Sequence, residues 1–388
     1  MTRLDRIRRR IARYVRGDDY DRGDGRCRHP PEWLVLVVNG ACNMRCRMCD
    51  VGLGESASVF YRHLMGGKPG DMRLSLLETV LEGADGFSPR PRIGLAYTEP
   101  LMHPQIIAFC RAIVGAGCYC SITTNGFLLP RLADALVEVG VHEVAVSVDG
   151  PEEIHDRVRG RPGSFRRLYQ GVERLNRAKR GLGQSVPVVR LSHTLTDQNY
   201  VHMVELLRQV EGLGPASLSF SHLNFISAEM ADVHNGVCDG DLNVARSNLG
   251  PMDLAAIELG AMWQALEELK AYVRSRSNPP PVTIVPDFTS PAGLETYYRD
   301  PLTFVGGRRC TDPWRMMMIR TDGTVVPAHA RCYEVMLGNA AETPLTELWN
   351  NGRVRWFRRT LKEAGGTLPA CARCCGVIGK RKDGARRG

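Results

Sequence analysis

The chain has 388 residues, 43% of them hydrophobic, which is enough for a barrel-sized unit with a smaller domain attached. Its formal net charge of +9 sits at the ends, with ten Arg against five Asp in residues 1–28 and five basic residues against Asp383 in 380–388; the balanced body gives no reason to expect a nucleic-acid partner. No apolar run approaches membrane-spanning length and the charged N-terminus lacks a signal-peptide core, so a cytoplasmic protein is expected, whose 13 cysteines read as metal or cluster ligands rather than disulfides.

After a basic N-terminal extension, 1–33, the first predicted strand is "WLVLVVNG", and "NGACNMRCRMCDVG" follows it. Cys42, Cys46 and Cys49 fall within eight positions. A structural zinc site asks for four ligands and a disulfide for an even number. A cubane iron–sulfur cluster has four irons, so three thiolates on one loop hold three of them and leave the last open to a small molecule.

This CxxxCxxC spacing resembles that of the radical S-adenosylmethionine (SAM) superfamily. The resemblance implies a [4Fe–4S] cluster whose open iron chelates the amino and carboxylate groups of SAM. One electron, drawn from an external flavodoxin- or ferredoxin-type donor, then releases a 5′-deoxyadenosyl radical that abstracts a hydrogen atom from substrate. Met48 stands where the family usually places an aromatic residue beside the adenine, and a polarizable thioether packs there too.

Further strands are predicted at "RIGLAYTEP", "YCSITTNG", "EVAVSVDG", "VPVVRLSHTL" and "SLSFSHLNF", with helical patterns such as "SLLETVLEGADG" and "LPRLADALVEVG" between them. Six strand–helix alternations argue an α/β fold with a parallel sheet, a partial (β/α)6 TIM-like barrel. Active sites on such sheets lie at the carboxyl ends of the strands, where the cysteine loop also falls.

The strand ends carry the rest of the resemblance. "AYTEP" is similar to the family's Gly-Gly-Glu-Pro segment, in which the backbone and Glu bind the methionine amino group; Glu99 and Pro100 are kept, while Tyr97 and Thr98 replace the glycines and alter the cavity wall near SAM. Asn125, in the "TTNG" turn, is grouped with the same cofactor. "SVDGPEEIHDRVRG" resembles the Ser-Leu-Asp-Gly stretch of members with a SPASM or twitch extension, which implies cofactor roles for Ser147 and Asp149.

On strands four to six one face is polar, carrying Ser147 and Asp149, then Arg190, Ser192 and Thr194, then Ser217, Ser219 and Ser221. A packed barrel centre would carry branched apolar residues there, so the lumen is expected to hold a ligand and water. Arg190 is a candidate for the SAM carboxylate or the substrate, with a salt bridge inside the barrel as the alternative. His222 and Asn224, at the end of strand six, are candidates for contact with substrate. His103, Cys110, Cys118 and Cys120 read as turn or core residues, and Cys27 and Cys238 have no assigned role.

After residue 226 a long amphipathic helix, "NPPPVTIVP" and an irregular segment are read as the last barrel helix and a linker, closing a barrel unit of 34–305. Residues 306–379 hold Cys310, Cys332, Cys371, Cys374 and Cys375 around a hairpin with Asp-Gly at its turn, "MMMIRTDGTVVP". This order resembles a twitch or SPASM extension and implies one auxiliary [4Fe–4S] cluster held by Cys310, Cys332, Cys371 and either Cys374 or Cys375. Ala328 stands where such extensions place a cysteine, so Cys332 takes its part. A basic tail, 380–388, follows.

The function expected is hydrogen abstraction from a small polar substrate, sugar-, aminocyclitol- or nucleoside-like, with two-electron oxidation or epimerisation as the outcome. Peptide maturation is the alternative; the 33 residues before strand one are too short and charged for a leader-recognition module. A non-catalytic zinc or iron–sulfur scaffold is the alternative from a different class.

Overall fold

A computed structural model describes residues 19–65, 70–328, 332–333 and 335–378. The basic tail and residues 1–18 of the basic extension lie outside the described residues. Ten strands form one sheet in the order β10-β9-β8-β1-β2-β3-β4-β5-β6-β7. The strands are β1 (Trp33–Leu36), β2 (Arg92–Leu95), β3 (Cys120–Thr124), β4 (Glu143–Ser147), β5 (Val188–Thr194), β6 (Ser217–Ser221), β7 (Val282–Val285), β8 (Met316–Ile319), β9 (Thr324–Pro327) and β10 (Gly338–Asn339).

Strands β1 to β7 pair in parallel in chain order, with helices covering the outer face. Alternation makes the two faces different. Val144 and Val146, Val189 and Leu191, and Leu218 and Phe220 are buried against the helices, while the residues between them face the lumen. Strand β7, within the segment read as linker, extends the parallel run beyond the six expected units. Its four residues are flanked by prolines and half-exposed, as suits an edge strand, where a missing N–H costs no ladder bond. Helix Pro291–Arg299 also lies in that segment.

The C-terminal hairpin does not stand apart. β8 and β9 pair antiparallel as the Asp-Gly turn predicts, and β8 pairs in parallel with β1 on the edge opposite β2. Among the described residues β7 and β8 do not pair, so the barrel stays open between them. The segment before β1 packs on the C-terminal helices: Arg358 Nη1 donates to the Gly25 carbonyl at 3.1 Å, Cys27 N–H donates to Asn350 Oδ1 at 2.8 Å, and Trp349 Nε1 donates to the His29 carbonyl at 2.7 Å. Cys110, Cys118 and Cys120 are core residues, and His103 is buried with Nε2 3.0 Å from the Met72 carbonyl. Among the described residues no helix is long and apolar enough to cross a membrane.

Candidate functional site

The cysteine loop joins β1 to the short helix Asp50–Leu53 and is strapped from three sides. The Arg45 and Arg47 N–H groups donate to the carbonyls of Arg159 and Val158 at 3.1 and 3.0 Å, and Arg161 Nη1 donates to the Asn43 carbonyl at 2.6 Å. Asn39 Nδ2 donates to the Glu99 carbonyl at 2.8 Å, and Asn125 Nδ2 donates to Asn43 Oδ1 at 2.7 Å. Asp50, buried just after Cys49, accepts from Ser247 Oγ and Asn248 N–H, both at 2.7 Å, which ties the segment between β6 and β7 to the loop.

Burial pushes the Cys42 thiol up to about 11 and the Cys46 thiol up to about 12. Both sulfurs nonetheless face donors: Asn125 Nδ2 is 3.9 Å from Cys42 Sγ and Arg159 Nη1 is 3.6 Å from Cys46 Sγ. Buried sulfurs met by N–H groups suit thiolates held anionic by a metal, since coordination deprotonates the thiol outright. Among the described residues no three His, Cys, Asp or Glu side chains converge on a point that would serve one metal ion. A cubane does not require such convergence, because each thiolate goes to its own iron.

Glu99 locks the ends of β2 and β3 together. Its buried carboxylate accepts from Thr124 Oγ1 at 2.6 Å, Asn125 N–H at 2.7 Å and Leu101 N–H at 3.1 Å. Burial raises its pKa to about 6, against the opposing pull of these donors. Tyr97 adopts φ 83°, the left-handed conformation that favours glycine, at a cost in backbone strain. Phe60 packs edge-on to the Tyr97 ring at 6.2 Å. Thr98 is buried with its hydroxyl unpartnered beside this turn. Gly126, φ 78°, has no room for a side chain, since a Cβ would lie 2.6 Å from Leu168 Cβ.

The polar face lies as alternation predicts, with Ser147, Ser192 and Ser219 side by side across β4–β6 and Thr194 opposite Ser221. Asp149 is fully buried just past β4, where one oxygen meets Arg159 Nη2 at 2.6 Å and the other accepts from Thr194 N–H at 2.9 Å. His155 Nδ1 accepts from Asp149 N–H at 3.0 Å, and the Asp156 carboxylate accepts from Gly163 N–H, Ser164 Oγ and Phe165 N–H, capping the next helix. Met48, within the loop between Cys46 and Cys49, is buried in the core.

Two candidates lie elsewhere. Arg190 shares the lumen face but sits near the amino end of β5, where it donates to Glu143 Oε2 at 2.8 Å and Ser217 Oγ at 3.0 Å with its side chain 47% exposed. That is the floor of the barrel, remote from the strand ends that carry the cysteine loop, and it matches the salt-bridge alternative. His222 follows Ser221 and so faces the other way, into the core, with Nδ1 2.9 Å from the Tyr298 hydroxyl and Phe288 and Tyr297 against its ring. Burial lowers its pKa to about 3, which keeps it neutral. Asn224, two residues on, is half-buried and its Oδ1 has no partner.

A second cavity is lined by Phe225, Ile226, Cys332, Tyr333, Cys371 and Cys374. The Tyr333 hydroxyl is 3.0 Å from Cys371 Sγ, and its ring stacks on His234 at 5.2 Å and 8°. Cys310 is buried behind this loop, its sulfur 3.2 Å from where a Cβ on Gly376 would stand, whereas Cys375 is exposed. Between Cys371 and Cys374, Arg373 donates to the carbonyls of Thr296, Tyr297 and Asp300 at the end of helix Pro291–Arg299, so a buried cation satisfies a helix C-terminus and fixes the loop to the barrel side. Arg159, Tyr333 and Arg373 had no assignment from the sequence. Only Arg159 carried a signal, its place in "DRVRG" at the end of the resembling stretch "SVDGPEEIHDRVRG".

A model described as the radical SAM superfamily matches residues 36–210, and one described as SPASM, an iron–sulfur cluster-binding domain, matches residues 310–375. A relative named AdoMet-dependent heme synthase, from Methanosarcina barkeri, is 26% identical over 343 residues, 88% of each chain. The fold is similar to that of Streptococcus suis SuiB bound to precursor peptide SuiA, with TM-score 0.60 and 14% identity over 96% of this chain and 75% of that one. It is also similar to that of anSMEcpe with bound AdoMet, with TM-score 0.58 and 18% identity over 89% of this chain and 88% of that one. The chain therefore carries a radical SAM domain over residues 36–210 and a SPASM-type iron–sulfur domain over residues 310–375, and these two domains imply [4Fe–4S] clusters with SAM as cofactors.

Proposed function

We propose that the protein cleaves SAM reductively and oxidises a small, hydroxyl-bearing substrate by two electrons, turning a carbinol into a carbonyl. Cys42, Cys46 and Cys49 hold the SAM-binding cluster in this reading, and Cys310, Cys332, Cys371 and Cys374 hold the auxiliary one. Cys374 is preferred to Cys375 because it lines the same cavity as Cys332 and Cys371. When bound, the two clusters would supply one electron for SAM cleavage and an acceptor for the second substrate electron.

The observation that carries the reading is the position of the second cavity. Phe225 and Ile226, on its wall, follow directly on Asn224 at the carboxyl end of β6, so the auxiliary ligands adjoin the mouth of the lumen. Ser147, Ser192 and Ser219 offer neutral hydroxyls across that lumen, which suits a substrate read by hydrogen bonds rather than by charge. The Glu99 brace and the unpartnered Thr98 hydroxyl border the side where SAM would lie. The reducing electron comes from an external one-electron donor of flavodoxin or ferredoxin type.

The test is anaerobic incubation with SAM, dithionite and aminocyclitols or sugars deuterated at the carbinol carbon. Deuterium in 5′-deoxyadenosine, with one carbonyl product per SAM cleaved, is expected. Transfer from a deuterated peptide and from none of these would favour the maturase reading instead, and a protein that never cleaves SAM would return the scaffold reading.

A further inference from the structure

We propose that Arg159 is a positioning residue that sets the reduction potential of the SAM-binding cluster, with its guanidinium bridging the Cys46 sulfur and the Asp149 carboxylate. The proposal rests on the assignment of Cys42, Cys46 and Cys49 to that cluster.

The bridge is built from one fork. Nη1 of Arg159 lies 3.6 Å from Cys46 Sγ and Nη2 lies 2.6 Å from Asp149 Oδ2. The Arg159 side chain is 11% exposed and that of Asp149 is 0% exposed, so water screens neither charge. The backbone on both sides is pinned to the cysteine loop through the Arg45–Arg159 and Arg47–Val158 hydrogen bonds. Gly160, φ 64°, permits the close approach, since a Cβ there would stand 2.7 Å from the Arg45 carbonyl oxygen. The cation is therefore held against one ligand sulfur by the same segment that holds the loop.

Reduction adds one negative charge to a cluster, and a fixed cation with an N–H directed at a ligand sulfur favours the reduced form. The Asp149 anion opposes this at longer range. His155 and His193 lie against the pair and stay neutral, because burial lowers the pKa of both. Arg159 and Asp149 thus act on the potential with opposite signs, an outcome that loop scaffolding alone does not produce.

Holoprotein carrying both clusters is titrated electrochemically under anaerobic conditions, with the SAM-binding cluster identified as the reduced EPR signal that changes on adding SAM. Arg159→Gln keeps a donor but no charge, and at fixed ambient potential it is expected to lower the reduced-to-oxidised ratio about tenfold, a negative shift of about 59 mV for a one-electron couple. Asp149→Asn should shift the midpoint the other way, and Arg159→Lys, which restores the charge without the fork, should recover part of the loss seen with glutamine. Unmoved midpoints, or shifts of the same sign in Arg159→Gln and Asp149→Asn, overturn the proposal. A parent protein with no SAM-responsive signal overturns the cluster assignment together with it, so the two failures are told apart.

Discussion

The Tyr333 hydroxyl stands 3.0 Å from the sulfur of Cys371, joining the residue after Cys332 to the first cysteine of the C-terminal CxxC. Burial raises the pKa of Tyr333 well above the usual phenol value, so the group is a neutral donor at any working pH. Tyr333→Phe keeps the ring stacked on His234 and removes one hydrogen bond, at a cost of roughly 0.5–1.5 kcal/mol. Iron release to a chelator should quicken for the auxiliary cluster alone, while the SAM-responsive EPR signal stays as in the parent.

Glu99 is expected to act as a brace more than as a lone ligand. Its three donors come from the ends of two strands, so Glu99→Ala leaves the Thr124 hydroxyl and two N–H groups buried without an acceptor. The loss should be about 1–3 kcal/mol for each group left unmatched, partly relieved by relaxation. SAM affinity measured by equilibrium dialysis should fall at least tenfold, with a lowered thermal midpoint. Unchanged affinity in a destabilised variant would confine Glu99 to a structural part.

His222 gives a pH prediction. Its folded pKa of about 3 lies below the ordinary value of 6.5, because burial disfavours the cation. The stability it contributes is therefore complete above about pH 6.5 and is lost as the pH falls toward 3, at about 1.4 kcal/mol per unit. His222→Phe should flatten the fall in thermal midpoint between about pH 7 and 5.5 and leave SAM cleavage intact. A variant with parent-like pH dependence, or one that no longer cleaves SAM, would return His222 to the candidate site.

Arg190→Ala tests the floor of the barrel. The Arg190–Glu143 pair is half-exposed, so its loss should cost at most about 1 kcal/mol and leave SAM cleavage and iron content unaltered. Lost cleavage in a folded, iron-replete variant would move Arg190 back to the cofactor.

What the sequence made legible is local. The cysteine spacing, the strand–turn punctuation and the alternation of serines on β4–β6 each depend on neighbours within a few residues, and the latter two have their counterparts in the sheet. The alternation also placed Arg190 on the lumen face, but its depth follows from the register with Glu143 and Ser217, which only the assembled sheet defines. The same parity turns His222 away from the lumen, because Ser221 already points inward. Strand β7 escaped because four half-exposed residues between prolines carry no periodic signal. Arg159 meets Cys46 across 113 positions, Arg373 meets Tyr297 across 76 and Tyr333 meets Cys371 across 38, and residue type alone does not announce such contacts.

The account stands or falls on the iron content and SAM cleavage of anaerobically reconstituted protein, compared with the variant in which Cys42, Cys46 and Cys49 are all Ala. About eight iron atoms per parent chain and about four in the variant are expected, with cleavage abolished. Stoichiometric zinc without iron in the parent, or SAM cleavage that survives the triple substitution, would contradict it.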